Sequence, residues 1–270
     1  MINIMEKITS RQNSRVKELI KLQSKKYRRQ KQQFILEGFT LIESALKAGA
    51  EIEEIYIDSS LNLKKEVEQI KEMTSDRVLF INLASDLMED VTTTVNPQGI
   101  VAVARRRTAP LQEVLKFEGP LLLLSQVQDP GNAGTLLRSA SAAGFEGIIA
   151  LKGSVELFNP KVIRASMGGI FKPVITTDVE TDDFIKKTLE VAEEKRLVLT
   201  EPEADLNYFA VDYQSDDIFV VGNENEGIPS ALKSINHIPI KIPLPGNLES
   251  LNAAVAGSIV IFDWVRQFYS

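Results

Sequence analysis

The sequence predicts an α/β protein built as two domains in tandem, and three observations carry that reading. Strand-like runs alternate with amphipathic helical runs along almost the whole chain. The second half opens with PLLLLSQV, a continuous apolar run of the kind that a parallel strand buried on both faces requires. Between the halves, Arg105-Arg106-Arg107-Thr108-Ala109-Pro110 interrupts the alternation, and a Gly119-Pro120 pair closes the interruption. The expected boundaries are an N-terminal α/β domain over 1–106, a linker over 107–117 and a parallel-sheet α/β domain over 118–270.

In the first half, Arg15 to Gln30 reads as one helix, with Val16, Leu19, Ile20 and Leu22 as an apolar stripe between basic residues. QQFILEG is a short strand ended by Gly38, and FTLIESALKAG a helix stopped by Gly49. Then follow the strand EIEEIYID, the helix LKKEVEQIKEMT, the strand DRVLFIN, the helix LASDLMEDVTTT and the closing strand GIVAVARR. In the second half the first strand meets a tight loop, Asp129 to Gly134, and the helix TLLRSASAAGF. The strand GIIAL, the helix NPKVIRASMGGIF, the strand PVITT, the helix TDDFIKKTLEVAEEKR and the strands RLVLT, DIFVV and IPIKIPL come next. A last helix runs through LNAAVAGSIVIFDWVRQF, with Ser250 as its expected cap. Its Ala253, Ala254, Ala256, Gly257 and Ser258 let another backbone or a ligand come close.

Composition removes several classes of function. With 44% apolar and 25% charged residues the chain is neither disordered nor fibrous. Cysteine is absent, which excludes disulfides, thiolate metal sites and cysteine nucleophiles. The single histidine, His237, cannot build a histidine-rich metal site and reads as structural or solvated, so no metal is expected. No apolar run approaches the length of a membrane span and the N-terminus lacks a signal-peptide pattern, so the expected location is cytoplasmic. Chemistry is left to Arg, Asn, Ser, Glu and main-chain groups.

The net charge of −6 is unevenly placed. Residues 1–31 carry ten basic side chains against Glu6 and Glu18, a net +8, which leaves −14 for the rest. An acidic protein with a basic arm binds a polyanion locally, and Arg11, Arg15, Lys25, Lys26, Arg28 and Arg29 are the candidate nucleic-acid contacts. A solvated helix face is the alternative for the same run.

Four loops follow the carboxyl ends of predicted parallel strands: Asp129–Gly134, Thr200 onward, Gly222–Gly227 and Pro243–Asn252. Ligands of open α/β sheets bind at that edge. Neither G-x-G-x-x-G nor G-x-x-x-x-G-K-[ST] occurs, so ordinary dinucleotide and triphosphate cradles are unsupported, and GNENEG alone is equally compatible with a plain turn. Taken together the loops say more. Arg138, six residues beyond Asn132, supplies a forked guanidinium that suits a phosphate. Glu224 is placed to hold that guanidinium, and Ser250 and Asn252 offer hydroxyl and amide groups. With no strong base, the set fits a phosphate-bearing substrate and a reaction driven by positioning.

DPGNAGTLLRSA, NPKVIRASMGGIF, VVGNENEGIP and IPLPGNLESLNAAVAGSI resemble, in order, the motifs of the SpoU (TrmH-type) RNA 2′-O-ribose methyltransferases of the SPOUT class. The resemblance covers the whole second domain. The first domain resembles, more loosely, the small RNA-binding α/β domain, similar to ribosomal proteins, found ahead of the catalytic domain in ribosomal-RNA members. The resemblance implies a deep trefoil knot, a homodimer, S-adenosylmethionine as methyl donor and RNA, ribosomal RNA first, as substrate. It places Gly222, Ile242 and Leu251, with Thr200 as an addition, around the cofactor. It makes Asn132, Arg138, Glu224, Ser250 and Asn252 the catalytic set, with Arg138 beside the pocket formed by the last two turns. The family proposal makes Arg138 a base. A guanidinium stays protonated in proteins, so our reading is that Arg138 holds a phosphate and stabilises the developing alkoxide. The sequence departs from the family at Asn225, where glycine is common, and at Ala253-Ala254, where Val-Ser often occurs. Trp264, Phe262 and Phe268 are assigned to core or dimer interface. A tRNA or resistance-type enzyme of the same family, a non-catalytic RNA-binding or ribosome-assembly factor, and a nucleotide-dependent oxidoreductase, against which the missing glycine fingerprint stands, are the alternatives.

Overall fold

The computed structural model describes residues 4–94, 96–223, 226–246 and 248–269. The chain divides into two compact units: residues up to Arg107 together with Phe158–Arg164, and Thr108–Leu157 together with the chain from Ala165 onward.

The first unit runs β1 (Ile4–Ile8), α1 (Ser14–Leu22), α2 (Lys25–Lys31), β2 (Gln33–Glu37), α3 (Phe39–Lys47), β3 (Ile52–Asp58), α4 (Lys64–Met73), β4 (Leu79–Leu83), α5 (Ser85–Val91) and β5 (Ile100–Arg105). The five strands form one mixed sheet in the order β1-β4-β3-β5-β2, with β5 antiparallel to both of its neighbours. Val16, Leu19 and Leu22 of α1 and Leu87, Met88 and Val91 of α5 pack with Ile35, Tyr56, Ile81 and Leu83 of the strands.

Three expectations for this unit change. The run Arg15–Gln30 is not one helix. Ser24 Oγ donates to the Lys21 carbonyl at 2.9 Å and accepts the Tyr27 N–H at 3.3 Å, ending α1 and capping α2. The fold then turns back on itself, and this buries Arg28, which is only 3% exposed. Its guanidinium donates to the carbonyls of Leu22 and Gln23 at 2.9 and 2.7 Å, so it satisfies the C-terminus of α1 instead of facing RNA. The strand β1, absent from the sequence expectation, extends the sheet as an edge.

The second unit contains α6 (Leu111–Val114), β6 (Leu121–Leu124), α7 (Pro130–Ala142), β7 (Gly147–Leu151), β8 (Val174–Val179), α9 (Thr181–Val191), β9 (Leu197–Thr200), β10 (Leu206–Asn207), β11 (Ile218–Val221), β12 (His237–Lys241) and α10 (Ala253–Phe268). The helix α8 (Pro160–Ser166) begins in the segment that belongs to the first unit. Seven strands form a sheet in the order β10-β12-β9-β11-β6-β7-β8, and every neighbouring pair is parallel.

Alternate residues of each strand serve opposite faces. Leu121, Leu123, Ile149, Leu197, Leu199, Ile218 and Val220 join Leu111, Val114, Leu115 and Phe184 in one cluster. The α6 turn, which lies within the expected linker, thus contributes three core residues. On the other face Phe219 packs against Phe145, and Phe145 against Trp264 of α10, with ring centroids 5.2 and 5.7 Å apart. Trp264 is buried, in keeping with a core role, whereas Phe262 and Phe268 are exposed. A parallel sheet sends all its carboxyl ends to one edge, so the chain following β6, β9, β11 and β12 gathers there.

Candidate active site

Three stretches of chain build a concave site at that edge, and the residues at their tips explain why. The sequence DPGNAG is the beginning of α7 and no free loop: Asp129 caps the helix, its Oδ1 accepting the Asn132 N–H at 2.7 Å, and Pro130 takes the first helical position. On α10 the cap is Asn252 and not Ser250. Asn252 Oδ1 accepts the N–H groups of Ala254 and Val255 at 2.9 and 3.2 Å. Its Nδ2 donates to Asn132 Oδ1 at 2.8 Å, across 120 residues of sequence. The two helices continue side by side, with Ser139 and Ser258 hydroxyls 2.8 Å apart. A Cβ on Gly257 would lie 2.6 Å from Leu136 Cδ2 and 2.8 Å from Val221 Cγ2, so the missing side chain is what lets α10 settle on the sheet.

Between α10 and the strand ends lies a cavity of about 270 Å³. Thr200 and Glu201 line it after β9, Gly222, Asn223 and Ile228 after β11, and Ile242 and Leu244 after β12. Ser250, Leu251 and the first turns of α10 close it. The β11 turn folds back tightly: Asn223 and Gly227 exchange main-chain hydrogen bonds at 3.0 Å, and Gly227 takes a φ of +71°. A Cβ on Gly222 would stand 2.6 Å from the Gly227 carbonyl oxygen, which only glycine avoids.

Of the residues named from sequence, Thr200, Gly222, Ile242, Ser250 and Leu251 line this cavity, and Asn132 and Asn252 meet each other at the joined ends of α7 and α10. Glu224 lies outside the described residues. Arg138 does not behave as expected within one chain. It is exposed, does not line the cavity, and has no hydrogen-bond or ion-pair partner among the described residues. Asn132, Leu136 and Ser139 form the stripe of α7 that faces α10, and Arg138 sits about 120° around the helix from it.

The basic arm also resolves into different roles. Arg11 pairs with Asp90 at 2.7 Å, Arg15 pairs with Glu54, and Arg29 is half-buried. Lys25 and Lys26 stand exposed on α2. Sequence reasoning did not single out Glu201, Asn223 or Glu249, all of which line the cavity. All three lie in loops marked by the sequence, Glu201 directly after Thr200, Asn223 in GNENEG and Glu249 within Pro243–Asn252, so a signal was present for each.

The lining suits a small ligand with apolar and polar parts. Val221, Ile228, Ile242, Leu244 and Leu251 provide apolar walls, with Thr200, Glu201, Asn223, Glu249 and Ser250 as the polar residues among them. Lys233 partly offsets Glu201 at 2.8 Å. Among the described residues no group of three or more His, Cys, Asp or Glu is placed to hold a metal ion.

Residues 119–262 match the SpoU rRNA Methylase family. The chain belongs to that family. Residues 13–102 match a second family, the MRM3-like substrate binding domain. The chain is 32% identical over 260 residues to the 23S rRNA (guanosine(2553)-2′-O)-methyltransferase RlmP of Bacillus subtilis, covering 96% of this chain and 98% of that one. It is 30% identical to the 23S rRNA (guanosine-2′-O-)-methyltransferase RlmB of Bordetella pertussis, covering 86% and 97%. The crystal structure of an AdoMet-bound rRNA methyltransferase from Sinorhizobium meliloti superposes with a TM-score of 0.85 at 30% identity, over 98% of this chain and 99% of that one. The all-parallel unit is thus a SpoU-type SPOUT domain, its methyl donor is S-adenosylmethionine, and the first unit carries the substrate-binding domain.

Proposed function

We propose that this protein methylates the ribose 2′-hydroxyl of a nucleotide in ribosomal RNA. The observation that carries this reading is the cavity closed by the turns after β9, β11 and β12 together with the first turns of α10. It would hold S-adenosylmethionine, whose sulfonium supplies an already activated methyl group. Thr200, Gly222, Ile242 and Leu251 form its wall, with the apolar side chains against the ring and main-chain groups of the turns as hydrogen-bond partners. What remains for the protein is alignment and relief of charge. Asn132 and Asn252, bonded to each other, fix the two helix ends beside the cavity, and Ser250 offers a hydroxyl from its rim. Arg138 holds a substrate phosphate and stabilises the forming alkoxide, while the proton leaves through phosphate or water; Glu224 completes the set.

Because Arg138 stands away from the cavity in its own chain, the reading includes a homodimer in which one copy's Arg138 serves the other's pocket. Val255 and Phe262, seven residues apart on α10 and each 48% exposed, support an apolar self-contact. A deep trefoil knot in the second unit and a cytoplasmic location belong to the same reading. The substrate-binding match over residues 13–102 favours a folded ribosomal RNA element over a tRNA.

The test is methyl transfer from labelled S-adenosylmethionine to unmodified ribosomal RNA, with the product mapped as a 2′-O-methyl nucleotide. Arg138→Ala is expected to lower transfer about a hundredfold or more while donor binding by calorimetry stays near wild type. Loss of both in parallel would remove Arg138 from the chemistry, and a chain that binds the donor but modifies no RNA would return the protein to the class of assembly factors.

A further inference from the structure

One side chain fastens the turn after β11 to the turn after β6. Asn223 is 8% exposed and faces the cavity. Its Nδ2 donates to the main-chain carbonyl of Gln126 at 3.0 Å, and its Oδ1 accepts the Glu226 N–H at 3.0 Å. Gln126 takes a left-handed φ of +61°, an unfavourable conformation for a residue with a Cβ. It is seated against Gly153, where a Cβ would lie 3.1 Å from Gln126 Cγ. Strain of this kind persists where the surroundings over-determine the backbone, and here the Asn223 amide is one of the restraints.

The same segment of chain carries a second amide link. Three residues after Gln126, Asp129 caps α7, and Asn132 of that helix bonds to Asn252 at the start of α10. The turn after β11 and the start of α10 both line the cavity; an asparagine side chain ties the first to the β6–α7 connection, and a pair of them ties the second to the first turn of α7. An amide is the chemistry this position requires. A carboxylate would set oxygen against the Gln126 carbonyl, and a hydroxyl is too short to span the turns.

We propose that Asn223 is a positioning residue for the methyl donor: it holds the Gly222–Gly227 turn against the β6–α7 connection, so that the cofactor wall is formed before the ligand arrives. It acts on donor affinity through that wall and not on the reacting atoms. The inference rests on the cofactor reading above. The experiment is calorimetric titration of the full-length protein with S-adenosylmethionine, alongside steady-state methyl transfer, for wild type, Asn223→Asp and Asn223→Ser.

Both variants are expected to raise the donor Kd about tenfold or more, the effect of one lost buried hydrogen bond, while kcat at saturating donor falls less than about threefold. A merely structural role would lower the folded fraction, and with it apparent kcat, at unchanged Kd; that result overturns the proposal. Wild-type Kd in both variants overturns it too, as does a loss in kcat as large as that in affinity. Should the aspartate variant fail to fold, the serine variant, which adds no charge, decides the matter. Failure of the wild type itself to bind the donor would sink the cofactor reading, which is a distinct outcome.

Discussion

Replacing Arg28 by alanine should unfold the helical arm, although charge patterning alone marks this residue as a nucleic-acid contact. The side chain is 3% exposed and makes two charge-assisted hydrogen bonds to carbonyls at the end of α1. Each such bond to a charged group contributes about 1.5 kcal/mol net, and removing the donor leaves the buried Leu22 carbonyl and the partly buried Gln23 carbonyl without it. The loss is therefore about 3 kcal/mol, with a further contribution from the emptied space of the aliphatic stem. For a unit of this size that corresponds to roughly 15 °C in Tm. Thermal unfolding followed by circular dichroism measures it, and hydrogen exchange should locate the loss of protection in α1 and α2. Arg28→Lys, which keeps one donor and the charge, should recover only part. A change in stability below about 0.5 kcal/mol, with RNA affinity lowered at the same time, would refute the assignment and restore Arg28 to the interface.

Three further outcomes follow from the structure. Lys25→Glu with Lys26→Glu should leave stability within about 0.5 kcal/mol but weaken RNA binding, with the log–log salt slope shallower by about 0.7 to 0.9 for each phosphate no longer neutralised; an unchanged slope in filter binding would take α2 out of the interface. Gly222→Ala would drive a methyl group to within 2.6 Å of the Gly227 carbonyl oxygen, so it should cost about 1–3 kcal/mol and abolish donor binding by calorimetry, because the turn must open to admit it. Burial alone would raise the Asp58 pKa, but the Ser60 N–H and the Ser85 and Ser60 hydroxyls outweigh it and hold the carboxyl below its ordinary value. A depressed carboxylate adds stability that is present above the unfolded pKa of about 3.9 and lost as pH falls through the folded value, so Asp58→Asn should flatten the acid limb of the stability curve below about pH 4.

The architecture was legible because it rests on repetition. Continuous apolar strands such as Leu121–Leu124 and amphipathic helices such as Thr181–Val191 announce themselves over several residues at once. Misreadings arose where one side chain decides. Ser24 breaks what its neighbours would continue as a helix, and only its two hydrogen bonds to the backbone reveal this. Ser250 and Asn252 are equally good caps on paper; the strand ends bring Asn252 to Asn132, and that bond selects it. Arg28 is indistinguishable from Arg29 in sequence, because what separates them is the direction of a helix set by a turn several residues away. Likewise Asp129-Pro130 carried a helix-start signal in full view, but glycines on either side of Asn132 read more strongly as a loop. For Arg138 the sequence gives a helical position but not the face of α7 it occupies, which depends on the way α7 packs against α10.

The bond between Asn132 and Asn252 also joins segments made early and late in the synthesis of this unit. Every strand of the parallel sheet, and even α7, is synthesised before the helix that closes the cofactor wall. A nascent or prematurely terminated copy lacking the residues from Asn252 onward has a sheet edge but no closed pocket. Such fragments lack Ala253, Ala256 and Gly257, so the cavity stays open on the side that α10 covers.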